Sequence, residues 1–103
     1  MELRDGNGYS SGNVFALNSN GYLGPVCDDD WSDVAATVVC KQLGFSSGIA
    51  RWESAFGSVP TQHAMDDVQC TGDEDTIQQC TYSLNENCDS TEGAGVECSY
   101  SPE

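Results

Sequence analysis

Three consecutive carboxylates follow the first cysteine, in the run Cys27-Asp28-Asp29-Asp30, and no other residues of the chain are so suited to chemistry. Two carboxylates about 4 Å apart repel by about 1 kcal/mol in water and about 4 kcal/mol at an effective dielectric near 20, a cost that a divalent cation turns into binding. Calcium suits such a cluster: it takes about six to eight oxygens from carboxylates, carbonyls and water, whereas magnesium demands stricter octahedral geometry and keeps its waters. One acidic run cannot supply that many oxygens, so carboxylates from other segments must converge on it. The EF-hand alternation of Asp and Asn is absent. The competing use of the same run is a turn in which Asp28 or Asp29 accepts backbone amides while its neighbours face water.

The six cysteines, Cys27, Cys40, Cys70, Cys80, Cys88 and Cys98, form an even set in 103 residues. No pair has the Cys-x-x-Cys spacing of zinc or redox sites, so oxidised bridges in an extracellular protein, secreted or an ectodomain, are the expectation. Oxidised cysteines are not nucleophiles, His63 is the single histidine, and no serine lies in a nucleophile-elbow pattern. The segment is therefore read as a non-enzyme, with His63 in a surface loop. A net charge of −14, from 17 Asp and Glu against 3 Lys and Arg, argues against direct binding to nucleic acid or anionic membrane, because phosphate contacts need clustered cations.

The chain is long enough for one core, which cross-links would reinforce. It carries no apolar run of membrane-spanning length and no signal-like start, so residues 1–103 are expected to be one domain cut from a longer secreted or membrane-anchored protein, with Met1 an added start residue. Asn20-Gly21 between apolar runs predicts a hairpin that leads into Cys27 and delivers Asp28 and Asp29 to a strand end. Ser32 or Asp33 can cap a helix over Val34–Leu43 that stops at Gly44, although Thr37-Val38-Val39 leaves a strand as the rival. The stretch from Phe45 to Ala64 has no clear period and reads as a long loop or short strands, with Trp52 and Phe56 as packing anchors. Asp73-Glu74-Asp75 ahead of Ile77 suits the first turn of a short second helix, and Val96-Glu97-Cys98 a final strand.

Four collinear segments resemble the scavenger receptor cysteine-rich (SRCR) family across nearly the whole chain. They are Gly21-x-x-Gly24-x-Val26-Cys27-Asp28-Asp29-x-Trp31, Ala35-x-x-Val38-Val39-Cys40-Lys41-Gln42-Leu43-Gly44-Phe45, Asp66-Asp67-Val68-x-Cys70-x-Gly72-x-Glu74 and Ala94-Gly95-Val96-x-Cys98. The six cysteines are similar to the family's group A. The resemblance implies an α+β fold: a small disulfide-rich domain whose curved antiparallel sheet cradles one main helix, with a second short helix and long loops. Six cysteines permit about fifteen pairings; the resemblance implies Cys27–Cys88, Cys40–Cys98 and Cys70–Cys80. Departures include Leu23 where the family usually has Trp, Pro25 where it has Thr, Gly93 where it has Asp and Ser90 where it has His. The core is expected to absorb Leu23 by local repacking.

The resemblance also implies two cation sites, the first from Asp28, Asp29 and Glu92, the second from Asp66, Asp67 and Asn87. It implies a ligand-binding module of the scavenger or innate-immune type, in which calcium joins the acidic domain to polyanionic glycans or microbial surfaces. Arg51 is the arginine available to a ligand rim. The alternative is a protein-interaction or structural domain whose calcium only steadies loops, with Tyr9, Tyr82 or Tyr100 facing a basic partner.

Overall fold

The computed structural model describes residues 1–4, 6, 10–84 and 88–100. Asn87 and Tyr9 lie outside the described residues. Among the described residues, seven strands and one α-helix follow in the order β1 (Glu2–Arg4), β2 (Ser11–Leu17), β3 (Leu23–Pro25), α1 (Asp33–Gln42), β4 (Ser47–Arg51), β5 (Asp66–Gln69), β6 (Thr81–Ser83) and β7 (Gly95–Ser99), with a 3-10 turn at Ile77–Gln79 ahead of β6. The architecture is α+β. A five-stranded antiparallel sheet runs β1-β2-β7-β4 with β3 also on β2, and β5 and β6 form a separate pair.

The hairpin falls where Asn20-Gly21 places it, with Leu17 opposite Leu23 and Phe15 opposite Pro25. Gly21 takes φ +82°, which glycine adopts without a Cβ clash, and Asn18 holds the turn by accepting the Asn20 and Tyr22 amides. Leu23 does not enter the core: it is 39% exposed beside the 46% exposed Leu17, so no repacking around it is needed.

The Thr37-Val38-Val39 run is helical because tertiary burial outweighs propensity: Ala35, Ala36, Val38, Val39 and Cys40 share one buried face. Ser32 caps it, its hydroxyl accepting the Ala35 amide at 3.3 Å, and Gly44 stops it at φ +99°. Helix α1 lies on β4, where Gly48 permits the approach: a Cβ there would stand 2.8 Å from the Ala36 carbonyl oxygen and run into the Cys40 sulfur. The same contact covers the edge of β4, because Ala50 donates to Asp33 Oδ1 at 2.8 Å and Thr37 Oγ1 donates to the Gly48 carbonyl at 3.3 Å.

The short second helix is only the 3-10 turn, and the acidic run does not open it. Thr76 and Gln79 form its capping box, while Glu74 turns back to accept the amides of Thr71 and Gly72. Trp31, 3% exposed, packs in the core and donates its indole N–H to the Gly95 carbonyl. Trp52 is no packing anchor: its side chain stands 47% exposed. His63, expected at the surface, is buried at 4% exposure, with Nδ1 3.0 Å from the Thr61 carbonyl oxygen, because the stretch around it is drawn in with Ala64 and Met65. None of the helices among the described residues is long and apolar enough to cross a membrane.

Candidate metal centre

After β3 the chain runs on, extended, between two other segments. Val26 bridges Met65 in parallel and Cys27 bridges Gly93 antiparallel. Four backbone hydrogen bonds fix the arrangement: Cys27 N–H to Met65 O at 2.8 Å, Ala64 N–H to Pro25 O at 2.7 Å, Asp28 N–H to Glu92 O at 2.9 Å and Ala94 N–H to Val26 O at 2.8 Å. The Cys27–Cys88 bridge ties the same place covalently, across 61 residues of sequence. Three acidic segments distant in sequence therefore emerge side by side, beginning at Asp28, Asp66 and Glu92.

Their carboxylates form two overlapping groups. Asp29 and Glu92 lie with the Cys27 and Cys88 sulfurs within 4.8 Å of one another, and Asp29 with Asp66 and Asp67 within the same limit. The sulfurs are joined to each other and are not thiolate ligands, so the available donors are carboxylate oxygens, which suit a hard cation such as calcium. Asp29 belongs to both groups. Sequence reasoning divided these residues into separate sites and had no signal for a shared carboxylate, which depends on the parallel Val26–Met65 bridge.

Asp28 stands differently from the rest. Its Oδ2 accepts the amide of Glu53 at 2.7 Å, a long-range bond to another segment rather than a turn within its own acidic run, and its carboxylate belongs to neither group. Asp66 is 4% exposed and accepts the Asp67 amide at 2.7 Å; Asp67 takes φ +53° at an irregularity in the β5–β6 pairing. Asp30 accepts from Gln69 Nε2 at 3.1 Å, linking the first acidic loop to β5. Asp89 Oδ1 accepts both the hydroxyl and the amide of Thr91, which holds its carboxyl below the usual carboxylate range, and Glu92 Oε1 accepts the Asp89 amide at 3.1 Å.

A brace at residues 52–54 was not apparent from sequence. Trp52 Nε1 donates to the Trp31 carbonyl at 2.8 Å, Ser54 Oγ donates to the Ser90 carbonyl and accepts the Gly93 amide, both at 2.8 Å, and Ser54 N–H donates to the Gly93 carbonyl at 3.0 Å. Together with the Glu53–Asp28 bond these connect the 28–31 loop to the 90–93 loop. Arg51, just before the brace, has its guanidinium ion-paired with Glu97 on β7. Tyr82 receives the Ser19 amide on its hydroxyl and packs against the core, whereas Tyr100 is 65% exposed, its ring 4.8 Å from that of Phe45.

Comparison with known proteins identifies the fold and the family. A family model described as Scavenger receptor cysteine-rich domain matches residues 4–99. The chain is 46% identical to a scavenger receptor cysteine-rich domain superfamily protein of Patiria pectinifera over 101 residues, 95% of this chain and 9% of that protein. It is 38% identical to lysyl oxidase homolog 2B of Danio rerio over 104 residues, 95% of this chain and 13% of that protein, so it spans about a tenth of these relatives. Among solved structures, the third SRCR domain of murine neurotrypsin is similar with a TM-score of 0.86 at 38% identity, covering 98% of this chain and 96% of that one. The dimeric form of the SRCR domain of mouse MARCO gives 0.78 at 36% identity, covering 94% of each. With its three bridges Cys27–Cys88, Cys40–Cys98 and Cys70–Cys80 in the six-cysteine pattern, the chain belongs to the scavenger receptor cysteine-rich family, whose domains are extracellular recognition modules rather than enzymes.

Proposed function

We propose that this domain is a calcium-dependent recognition module for anionic glycans or microbial surfaces. The observation that supports it is the position of Asp29, whose carboxylate lies within 4.8 Å of donors from Glu92 on one side and Asp66 and Asp67 on the other. Asp29 with Glu92 would hold one ion and Asp29 with Asp66 and Asp67 a second, with Asp28 adjoining; Asn87, the remaining member of the second set, is outside the described residues. Bound calcium would supply a positive centre with open coordination positions to which sulfate, phosphate or carboxylate oxygens can add. Without it the surface repels polyanions, since the three basic residues are outnumbered by 17 acidic ones.

The test is retention of the domain on immobilised sulfated polysaccharide in calcium, in chelator and as the Glu92→Ala variant. Retention in calcium that is abolished by chelator and weakened in the variant supports the proposal. Equal retention in calcium and chelator refutes it.

The net charge favours a second reading, a protein-interaction domain for a basic partner. Two bound dications would lower the charge only from −14 to −10, so the domain would still attract cationic surfaces. Chelator would then shift the melting temperature and leave partner binding unchanged.

A further inference from the structure

Trp52 is the least explained large side chain near the acidic loops. Trp31 packs in the core at 3% exposure, whereas Trp52 is 47% exposed and yet held by a hydrogen bond from its indole. Its indole N–H is spent on the Trp31 carbonyl, and the two residues that follow, Glu53 at φ +57° and Ser54 at φ +50°, adopt the left-handed conformation that side chains ordinarily avoid. A rigid, half-bare indole is the kind of group that anchors protein interfaces, because it loses little entropy on binding.

We propose that Trp52, flanked by Glu53 and Asp28, is the docking surface for a lysine- or arginine-bearing segment of a partner protein. This deepens the basic-partner reading above and rests on it. Tryptophan presents the most favourable ring face for a cation. Glu53 is exposed and next to Trp52 in sequence, and its amide is bonded to the Asp28 carboxylate, so two acidic residues adjoin the Trp52 position. Of the protein's own cations, Arg51 is paired with Glu97, Arg4 is paired with Glu2 and lies over the Phe15 ring at 4.1 Å, and Lys41 is in the last turn of α1. An anionic sugar stacked on the same ring would meet the repulsion of Glu53 and Asp28, and this charge complementarity selects a basic segment over a glycan.

The probe is an eight-residue peptide alternating arginine and glycine, titrated calorimetrically into the calcium-loaded domain at low and high salt, with a serine-for-arginine peptide as control. The arginine peptide is expected to bind with a salt-sensitive affinity and the serine peptide not to bind. Trp52→Ala is expected to weaken binding by about fivefold and Trp52→Phe by less, both with some loss of stability because neither keeps the bond to the Trp31 carbonyl, and Glu53→Gln by about threefold with calcium titration and melting near those of the wild type. Should Trp52→Ala fail to fold, Glu53→Lys, which keeps the indole and its hydrogen bond, is expected to weaken binding by about tenfold. Wild-type affinity in the folded tryptophan variants, or in Glu53→Lys, overturns the assignment while the basic-partner reading stands. No binding of the arginine peptide by the wild type overturns both. Loss of heparin-fragment binding in Trp52→Ala with unchanged peptide binding gives the surface to the glycan and also overturns it.

Discussion

Ser54 and Gly93 exchange two hydrogen bonds: the Ser54 amide donates to the Gly93 carbonyl at 3.0 Å, and the Gly93 amide donates to Ser54 Oγ at 2.8 Å. Glu92 immediately precedes Gly93, so this exchange sets where one candidate cation ligand enters the acidic cluster. Ser54→Ala leaves the Gly93 amide without its acceptor, at a cost of about 1–3 kcal/mol, and is expected to weaken calcium binding by about tenfold through the displaced Glu92 loop. Urea unfolding in chelator reads the first effect and calorimetric calcium titration the second.

Gly48 is opposite Cys98 in the β4–β7 pairing and beneath the Cys40–Cys98 bridge. An added methyl meets the helix backbone and the sulfur rather than a flexible side-chain end, so neither neighbour yields easily. Gly48→Ala is expected to destabilise the domain by about 2 kcal/mol or more, seen as a lower urea midpoint with an unchanged slope.

The Cys70–Cys80 loop should be the most dispensable of the three staples. Its sequence separation is 10, against 61 and 58 for the others. On chain entropy alone it contributes about 3 kcal/mol and each long bridge about 4 kcal/mol. Replacing both Cys70 and Cys80 by Ser should lower the melting temperature and leave a cooperative unfolding transition, whereas removing Cys27 and Cys88 should also abolish calcium binding. Calorimetric melts of the two double variants make the comparison.

Glu74 holds that same loop, and its carboxyl is lowered below the usual range by the Thr71 amide and hydroxyl and the Gly72 amide. A carboxylate lowered on folding stabilises the native state above its unfolded pKa, about 4.3, and loses that contribution as pH falls through the folded value. The stability difference between wild type and Glu74→Gln is therefore expected to be constant above about pH 5 and to shrink below about pH 4. Denaturant midpoints of both proteins across that range decide it; a difference independent of pH would contradict it.

The parts of the fold that follow from local signals were legible in the sequence. Asn20-Gly21 gave the hairpin, and Ser32 and Gly44 bounded the helix to within a residue or two, because caps and left-handed stops act over one turn. The strand β4 lay within a stretch that read equally as long loop or short strands, since Ser47-Gly48-Ile49-Ala50-Arg51 is defined by its pairing with β7 and by the helix above it rather than by alternation. His63 and Trp52 exchanged their expected places for the same reason: side-chain type suggests burial, and long-range packing decides it. At the candidate site the acidic residues themselves were visible, but their juxtaposition was not. Asp29 reaches both groups only because residues 26–28 run between the Met65 and Gly93 segments, and the 52–54 brace has no motif.

Calorimetric calcium titration of the wild type beside Asp29→Asn tests the shared carboxylate most directly. Glu92→Ala should lose binding at its own side and retain the Asp66–Asp67 side, whereas Asp29→Asn, which keeps shape and removes the charge, should eliminate calcium binding altogether. Calcium binding by Asp29→Asn equal to that of the wild type, or no calcium binding by the wild-type domain, would contradict a cation held through Asp29.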